Sequence, residues 1–154
     1  MANKYLELIK RQQKEINELP MRFAFSQSQF DEILDEWGLT RCEEDMKKIM
    51  SIGYGGYMLK TEYIKLKSTR IKHREEFQKA IDDDLTGSGF IYDMFLYELE
   101  NHEYSYTYDE EDALNALGIT YEMIYNNERL MNGLKLAKKT CLKSQEQEED
   151  EPEL

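Results

Sequence analysis

Apolar residues along this chain recur mostly three and four positions apart, the period of helices with one buried face. From Asn3, the residues Tyr5, Leu8, Ile9, Ile16 and Leu19 share a face, Lys10, Arg11 and Lys14 lie elsewhere, and Pro20 ends the run. Met21-Arg22-Phe23-Ala24-Phe25 alternates instead and fits either a strand or an extended connector. Ser26 then has the character of an N-cap, with Gln29 at the capping-box position and Phe25 and Phe30 spaced as a hydrophobic staple. Phe30, Ile33, Leu34 and Trp37 form the stripe of this second helix, and Gly38 closes it. Thr40 and Glu43 repeat the box, so a third helix is expected with Cys42, Met46, Ile49 and Met50 inward and Gly53 at its end.

The glycine-rich stretch 53–59 lacks the Lys-Ser/Thr ending of a phosphate loop and the strand-helix setting of a dinucleotide fold, so a turn or short hairpin is expected. A long basic helix over about 61–81 follows, with Leu66, Arg70, His73, Phe77 and Ile81 at helical spacing. A fifth helix covers 90–102 and places Glu98 and His102 one turn apart. Tyr104-Ser-Tyr106-Thr-Tyr108 alternates aromatic and small residues, as a short strand or an extended arm does. A short helix over 109–117 leads through Gly118-Ile119-Thr120 into a final helix whose buried side is Tyr121, Ile124, Leu130, Met131, Leu134, Ala137 and Cys141. Helix-Gly-apolar-Thr-helix is also the spacing of a DNA-binding helix-turn-helix, but this second helix brings two carboxylates for one arginine. Gly38-Leu39-Thr40 repeats the device, and both read as helical corners. The expected fold is mainly α, with α+β the alternative: six to seven helices in one domain over 1–144, and a small hairpin or sheet from 21–25, 54–59 and 104–108. Residues 145–154, without apolar periodicity, are expected to be a disordered acidic tail.

Charge sharpens this picture. The net charge is −12, yet residues 75–128 alone hold fifteen Asp/Glu against one Lys, and seven of the eleven tyrosines. Residues 1–74 sum to 14 − 11 = +3 and 129–144 to +5. The basic surface of the long helix reads as a complement to the acidic block. So acidic a chain is not suited to direct contact with DNA, RNA or an anionic membrane, since phosphate binding needs Lys/Arg neutralisation. No run reaches the roughly 18 apolar residues of a membrane span, and the N-terminus has no apolar signal core, so a cytoplasmic protein is expected. Cys42 and Cys141 suggest neither a disulfide framework nor zinc, and both read as small buried hydrophobes.

Two stretches invite metal or catalytic readings. Asp82, Asp84, Thr86 and Gly87 match an EF-hand loop at positions 1, 3, 5 and 6, but Gly89 and Asp93 stand where a branched apolar residue and a bidentate Glu belong. A flexible acidic interhelix loop is expected. Glu98 and His102, with His73 as the only other histidine, make the sole catalytic or metal cluster worth naming, and a hydrogen-bonded, half-buried His102 is the plainer reading. No cofactor, metal or catalytic residue is expected.

Arg11-Gln-Gln-Lys-Glu15, Pro20-Met-Arg-Phe-Ala-Phe-Ser26, Gly89-Phe-Ile-Tyr-Asp-Met-Phe95, Tyr97-Glu-Leu-Glu-Asn-His-Glu-Tyr104 and Asp112-Ala-Leu-Asn-Ala-Leu117 together resemble a family of small uncharacterised phage and prophage proteins of Gram-positive bacteria. The resemblance, over residues 5–142, implies a host bacterial cytoplasm and no residue-level chemistry. Small acidic phage proteins include anti-CRISPR proteins that occupy basic grooves of Cas nucleases, and by that analogy the chain is expected to be an inhibitor of a host defence nuclease. Its partner would be a host nucleic-acid-binding protein, a Cas9-type nuclease first, whose arginines and positive channel accept carboxylates where phosphates lie. The expected contacts are Asp82, Asp83, Asp84, Glu100, Glu103, Asp109, Glu110, Glu111 and Asp112, with Tyr104, Tyr106 and Tyr108 as aromatic anchors. The alternatives are a self-associating structural or regulatory phage protein, as a homodimer, and a small nucleotide-acting enzyme using Glu98 and His102.

Overall fold

The computed structural model describes residues 2–150, with side chains through residue 144. In chain order the elements are α1 (Lys4–Asn17), β1 (Arg22–Phe23), α2 (Gln27–Trp37), α3 (Glu43–Met46), β2 (Ile49–Gly53) and β3 (Gly56–Leu59). Then come α4 (Lys60–Asp83), α5 (Phe90–Asn101), α6 (Tyr104–Thr107), α7 (Glu111–Leu117), α8 (Tyr121–Tyr125) and α9 (Glu128–Asp150). The protein is mainly α with a small antiparallel sheet. Two compact units divide it, one of residues 12–74 and one of the residues up to 11 together with those from 75 onward, so the boundaries fall inside α1 and α4.

In the 12–74 unit, α2 forms where its local signals place it. Ser26 Oγ accepts from the Gln29 N–H at 3.2 Å, and Gln29 Oε1 accepts from the Phe25 N–H at 2.7 Å. Gly38, at φ 69°, ends the helix, and the Leu39 N–H closes onto the Leu34 carbonyl at 2.8 Å. The expected third helix is largely replaced. It stops at Met46 after four residues, and Ile49 and Met50 instead pair with Leu59 and Met58 across a hairpin. Tyr54 and Gly55, at φ 53° and 78°, supply the two left-handed positions of a two-residue hairpin turn, and this turn pulls 49–53 into the extended state. Residues 22 and 23 add the third strand in the order β1-β3-β2.

In the other unit α5 is central, packed on α9 and α7. Ile91, Met94, Phe95 and Leu99 of α5 are fully buried, and each contributes ~1.5–3 kcal/mol by leaving water. Tyr5, Phe77, Phe90 and Tyr97 form an aromatic cluster with neighbouring ring centroids 5.6–6.3 Å apart, edge-on except for the tilted Tyr5–Tyr97 pair. Gly133 lets α9 approach closely: a Cβ there would lie 2.5 Å from Ile91 Cγ2 and 2.7 Å from the Gly87 carbonyl oxygen.

The helices exceed the expected six to seven, reaching nine among the described residues, for two local reasons. Residues 104–108 are a helical turn, not a strand or arm, because Tyr104 turns its ring inward and the Tyr108 N–H bonds the Tyr104 carbonyl at 2.8 Å. The final helix is also broken. The Asn127 side chain accepts from the Arg129 and Leu130 N–H groups at 3.0 and 3.3 Å, starting α9 afresh. Of the expected buried side, Tyr121 and Met131 are exposed at 45% and 42%. In the stretch expected as a tail, α9 remains helical to Asp150, and residues 151–154 lie outside the described residues.

Candidate functional site

The expected contact residues separate into three groups. Asp82 and Asp83 are exposed at the end of α4, but each is tied to its own helix: Gln78 Nε2 donates to Asp82 at 2.9 Å and Lys79 Nζ lies 2.5 Å from Asp83. Asp84 is structural. Its carboxylate accepts the backbone N–H groups of Gly87, Gly89 and Ile91, all at 3.0 Å, and so winds the 84–91 loop around itself. Burial pushes its pKa up, but the N–H bonds from Ile91, Gly87 and Gly89 outweigh it and hold the carboxyl below its ordinary value. Arg129 Nη1 completes the corner by donating to the carbonyls of Ile81, Asp82 and Asp84 at 2.9–3.1 Å. The loop resembling an EF-hand is therefore held by protein donors. Asp93, its twelfth position, accepts from the Lys4 N–H at 2.9 Å.

Glu98 and His102 do meet, but inside the packing. Glu98, 6% exposed, accepts from the Tyr5 hydroxyl at 2.7 Å. His102 Nδ1 lies 2.8 Å from the Glu98 backbone carbonyl and 3.5 Å from its carboxylate. His73 Nε2 is bonded to Glu15 at 2.6 Å in the other unit. Glu98 thus anchors α1 to α5 through a buried hydroxyl-carboxylate bond, and burial, then that bond, raises the Tyr5 phenol far above its ordinary pKa.

The third group runs through residues 100–112. Tyr104, expected as an anchor for a partner, is 5% exposed and is an internal one: Tyr108 stacks edge-on to it at 6.5 Å and Lys138 Nζ sits 5.8 Å over its ring. Glu110 is also largely committed, to Lys138 Nζ at 3.2 Å. Glu100, Glu103, Asp109, Glu111 and Asp112 remain exposed, and none has an ion pair among the described residues. Tyr106 and Tyr108, 68% and 62% exposed, stand among them. Glu103 and Tyr108 bracket α6 with left-handed backbones, φ 57° and 58°. Such non-glycine positions cost about 1–2 kcal/mol each. The Tyr106 and Thr107 N–H groups bond the Glu103 carbonyl at 3.0 and 3.1 Å and hold the turn.

Beside this segment lies a groove that sequence reasoning missed. It is an open cleft of about 550 Å³, floored by Ile124, Leu134 and Leu142 and flanked by Tyr121, Tyr125 and Met131, with Lys135, Lys138 and Lys139 along the α9 side. Tyr121 was expected in the core, and the Asn126-Asn127 pair that splits α8 from α9 was the available signal.

The model for a family of unknown function, DUF7659, matches residues 4–140. The chain belongs to this family. The match spans both compact units and brings no assigned chemistry. Comparison with curated proteins and with solved structures found no match.

Proposed function

We propose that this protein is a binding module, not an enzyme, and that it inhibits a nucleic-acid-handling protein by presenting carboxylates to a basic groove. The observation that carries the reading is the 100–112 segment: five exposed carboxylates with no ion pair among the described residues and two exposed tyrosines on a short stretch. Buried Tyr104 and the two left-handed residues around α6 fix that stretch. Fixed charge is what distinguishes a phosphate mimic from a flexible acidic tail, because a mobile segment must lose conformational freedom on binding. Tyrosines among the charges supply the large, low-entropy contact area on which tight interfaces depend. The buried, carbonyl-facing arrangement at Glu98 and His102 favours a packing role over catalysis.

The finer form of the proposal is a phage inhibitor of a Cas9-type nuclease, whose positive channel holds a heteroduplex by its backbone. DNA cleavage by a guide-loaded nuclease, titrated with the chain, tests it. The wild-type chain should stop cleavage, and Glu103→Lys with Asp109→Lys, Glu111→Lys and Asp112→Lys should restore it. Unimpeded cleavage at excess wild-type chain counts against the nuclease, and equal inhibition by the quadruple variant counts against the face.

A further inference from the structure

The first half of α4 turns Leu66 inward, where it is fully buried, and His73 is largely buried on the same side. On the opposite side Lys60, Ile64, Lys67, Ile71 and Arg74 succeed one another at steps of four, three, four and three residues. At 3.6 residues per turn they fall in one stripe, about 80° wide and about 21 Å long. All five are exposed, Ile64 at 70% and Ile71 at 50%. Lys65, on the flank, is held by Glu62 at 2.7 Å, but Lys60, Lys67 and Arg74 have no carboxylate partner among the described residues. The stripe lies wholly within the 12–74 unit. Steps of four and three are the heptad seam of a helix that packs on a second helix, narrower than the face with which a helix covers a core. Cations interleaved in such a seam weaken it for an apolar partner and select one of opposite charge.

We propose that this stripe docks an acidic amphipathic helix of another protein, whose seam alternates apolar side chains with Glu or Asp. The apolar residues would cover Ile64 and Ile71, and the carboxylates would meet Lys60, Lys67 and Arg74. Charge sets the sign of the partner, since the stripe carries three cations and no acid. The same stripe of a second copy does not fit. Antiparallel pairing sets Lys60 on Arg74 and Lys67 on its own counterpart, and parallel pairing sets every cation on its like. A phosphate backbone would neutralise the cations but give the two isoleucines nothing to bury against, whereas an amphipathic helix satisfies both at one spacing. The docking goes beyond the inhibitory reading. It uses none of the residues 100–112, and it is tested without a nuclease.

Fluorescence anisotropy of a labelled helical peptide, titrated with the full chain, tests the stripe. The probe is an alanine-rich peptide of three heptads with Glu and Leu alternating along one seam. The wild-type chain should bind it saturably, and more weakly as salt rises. Ile64→Ser with Ile71→Ser should raise the dissociation constant about tenfold or more, since both apolar contacts are lost. Lys67→Glu should weaken binding by a similar factor of about ten. Circular dichroism should be unchanged in both variants, because these side chains are exposed. A peptide with Lys in place of Glu should ignore the wild-type chain and bind the variant carrying Lys60→Glu, Lys67→Glu and Arg74→Glu. Failure of the acidic peptide to bind at the highest chain concentrations overturns the proposal. So does binding that the isoleucine variant leaves unchanged. Tighter binding of a DNA duplex or a phosphatidylserine-rich vesicle than of the peptide, lost with Lys67→Glu, overturns it as well, because the stripe would then serve phosphate.

Discussion

Replacing Asp84 by alanine should destabilise the protein by far more than removal of either neighbouring aspartate. The Asp84 carboxylate accepts three backbone N–H bonds at 3.0 Å, and a hydrogen bond to a charged group is worth ~1.5–3 kcal/mol. Asp84 is partly exposed, and water will take over part of the lost interaction, which reduces the expected cost to roughly 2–3 kcal/mol. At ~2–4 °C per kcal/mol for a chain of this size, the melting temperature should fall by about 5–10 °C. Asp83→Ala, losing one exposed pair with Lys79, should change stability by less than about 0.5 kcal/mol. The pH dependence has a definite sign. The carboxyl is held below its ordinary pKa, so its stabilisation is complete above the unfolded value near ~3.9 and is lost as pH falls through the folded value. Urea unfolding of wild type and variant at about pH 7 and about pH 3 checks both parts. Equal stabilities at neutral pH, or a difference that grows on acidification, would refute the account of the loop.

Gly87→Ala should be severely destabilising, by about 3 kcal/mol or more, because its φ is +85° and the new Cβ would lie 2.1 Å from the Arg129 carbonyl oxygen. Gly38→Ala, left-handed but with open space around it, should cost only about 1 kcal/mol by the same thermal melt. Tyr5→Phe keeps the aromatic cluster but removes the donor to buried Glu98, so urea unfolding should show a loss of about 1–3 kcal/mol, and unchanged stability would contradict that bond. Cys141 is buried, and burial, with the Glu100 charge, pushes its thiol up to about 11. Cys42 is exposed. A thiol reagent at about pH 8 should therefore modify one cysteine quickly and the other only on unfolding, and two fast equivalents would be the contrary result.

Elements whose signals are local were legible in the sequence. Ser26, Gln29 and Gly38 bound α2 by caps acting over three or four residues, and Gly118-Ile119-Thr120 does the same between α7 and α8. Residues 40–53 were misread because Ile49 and Met50 satisfy a helical stripe as well as they satisfy strand pairing. The deciding contact, with residues 58 and 59, lies across a turn. The alternation of 104–108 failed for a related reason, since what bends it is the burial of Tyr104 beside Lys138, thirty-four positions away. At the site, charge density along the chain marks residues 100–112 as acidic but does not separate exposed Asp109, Glu111 and Asp112 from Glu110, which is held by Lys138. Nor could it show that Asp84 spends its charge on its own loop. Those distinctions depend on partners brought close by the fold, and spacing carries no record of them.

The central claim is that the exposed carboxylates of 100–112 occupy a basic nucleic-acid-binding surface, and equilibrium competition tests it most directly. A guide-loaded Cas9-type nuclease is immobilised, the chain is bound at low and moderate salt, and target duplex is added as competitor. The account predicts saturable binding that weakens with salt, displacement by duplex, and a loss of about a hundredfold or more in the variant with Glu103, Asp109, Glu111 and Asp112 changed to lysine, at ~0.5–1 kcal/mol per exposed charge pair and more on reversal. Simultaneous binding of chain and duplex, or undiminished affinity of the variant, would contradict it.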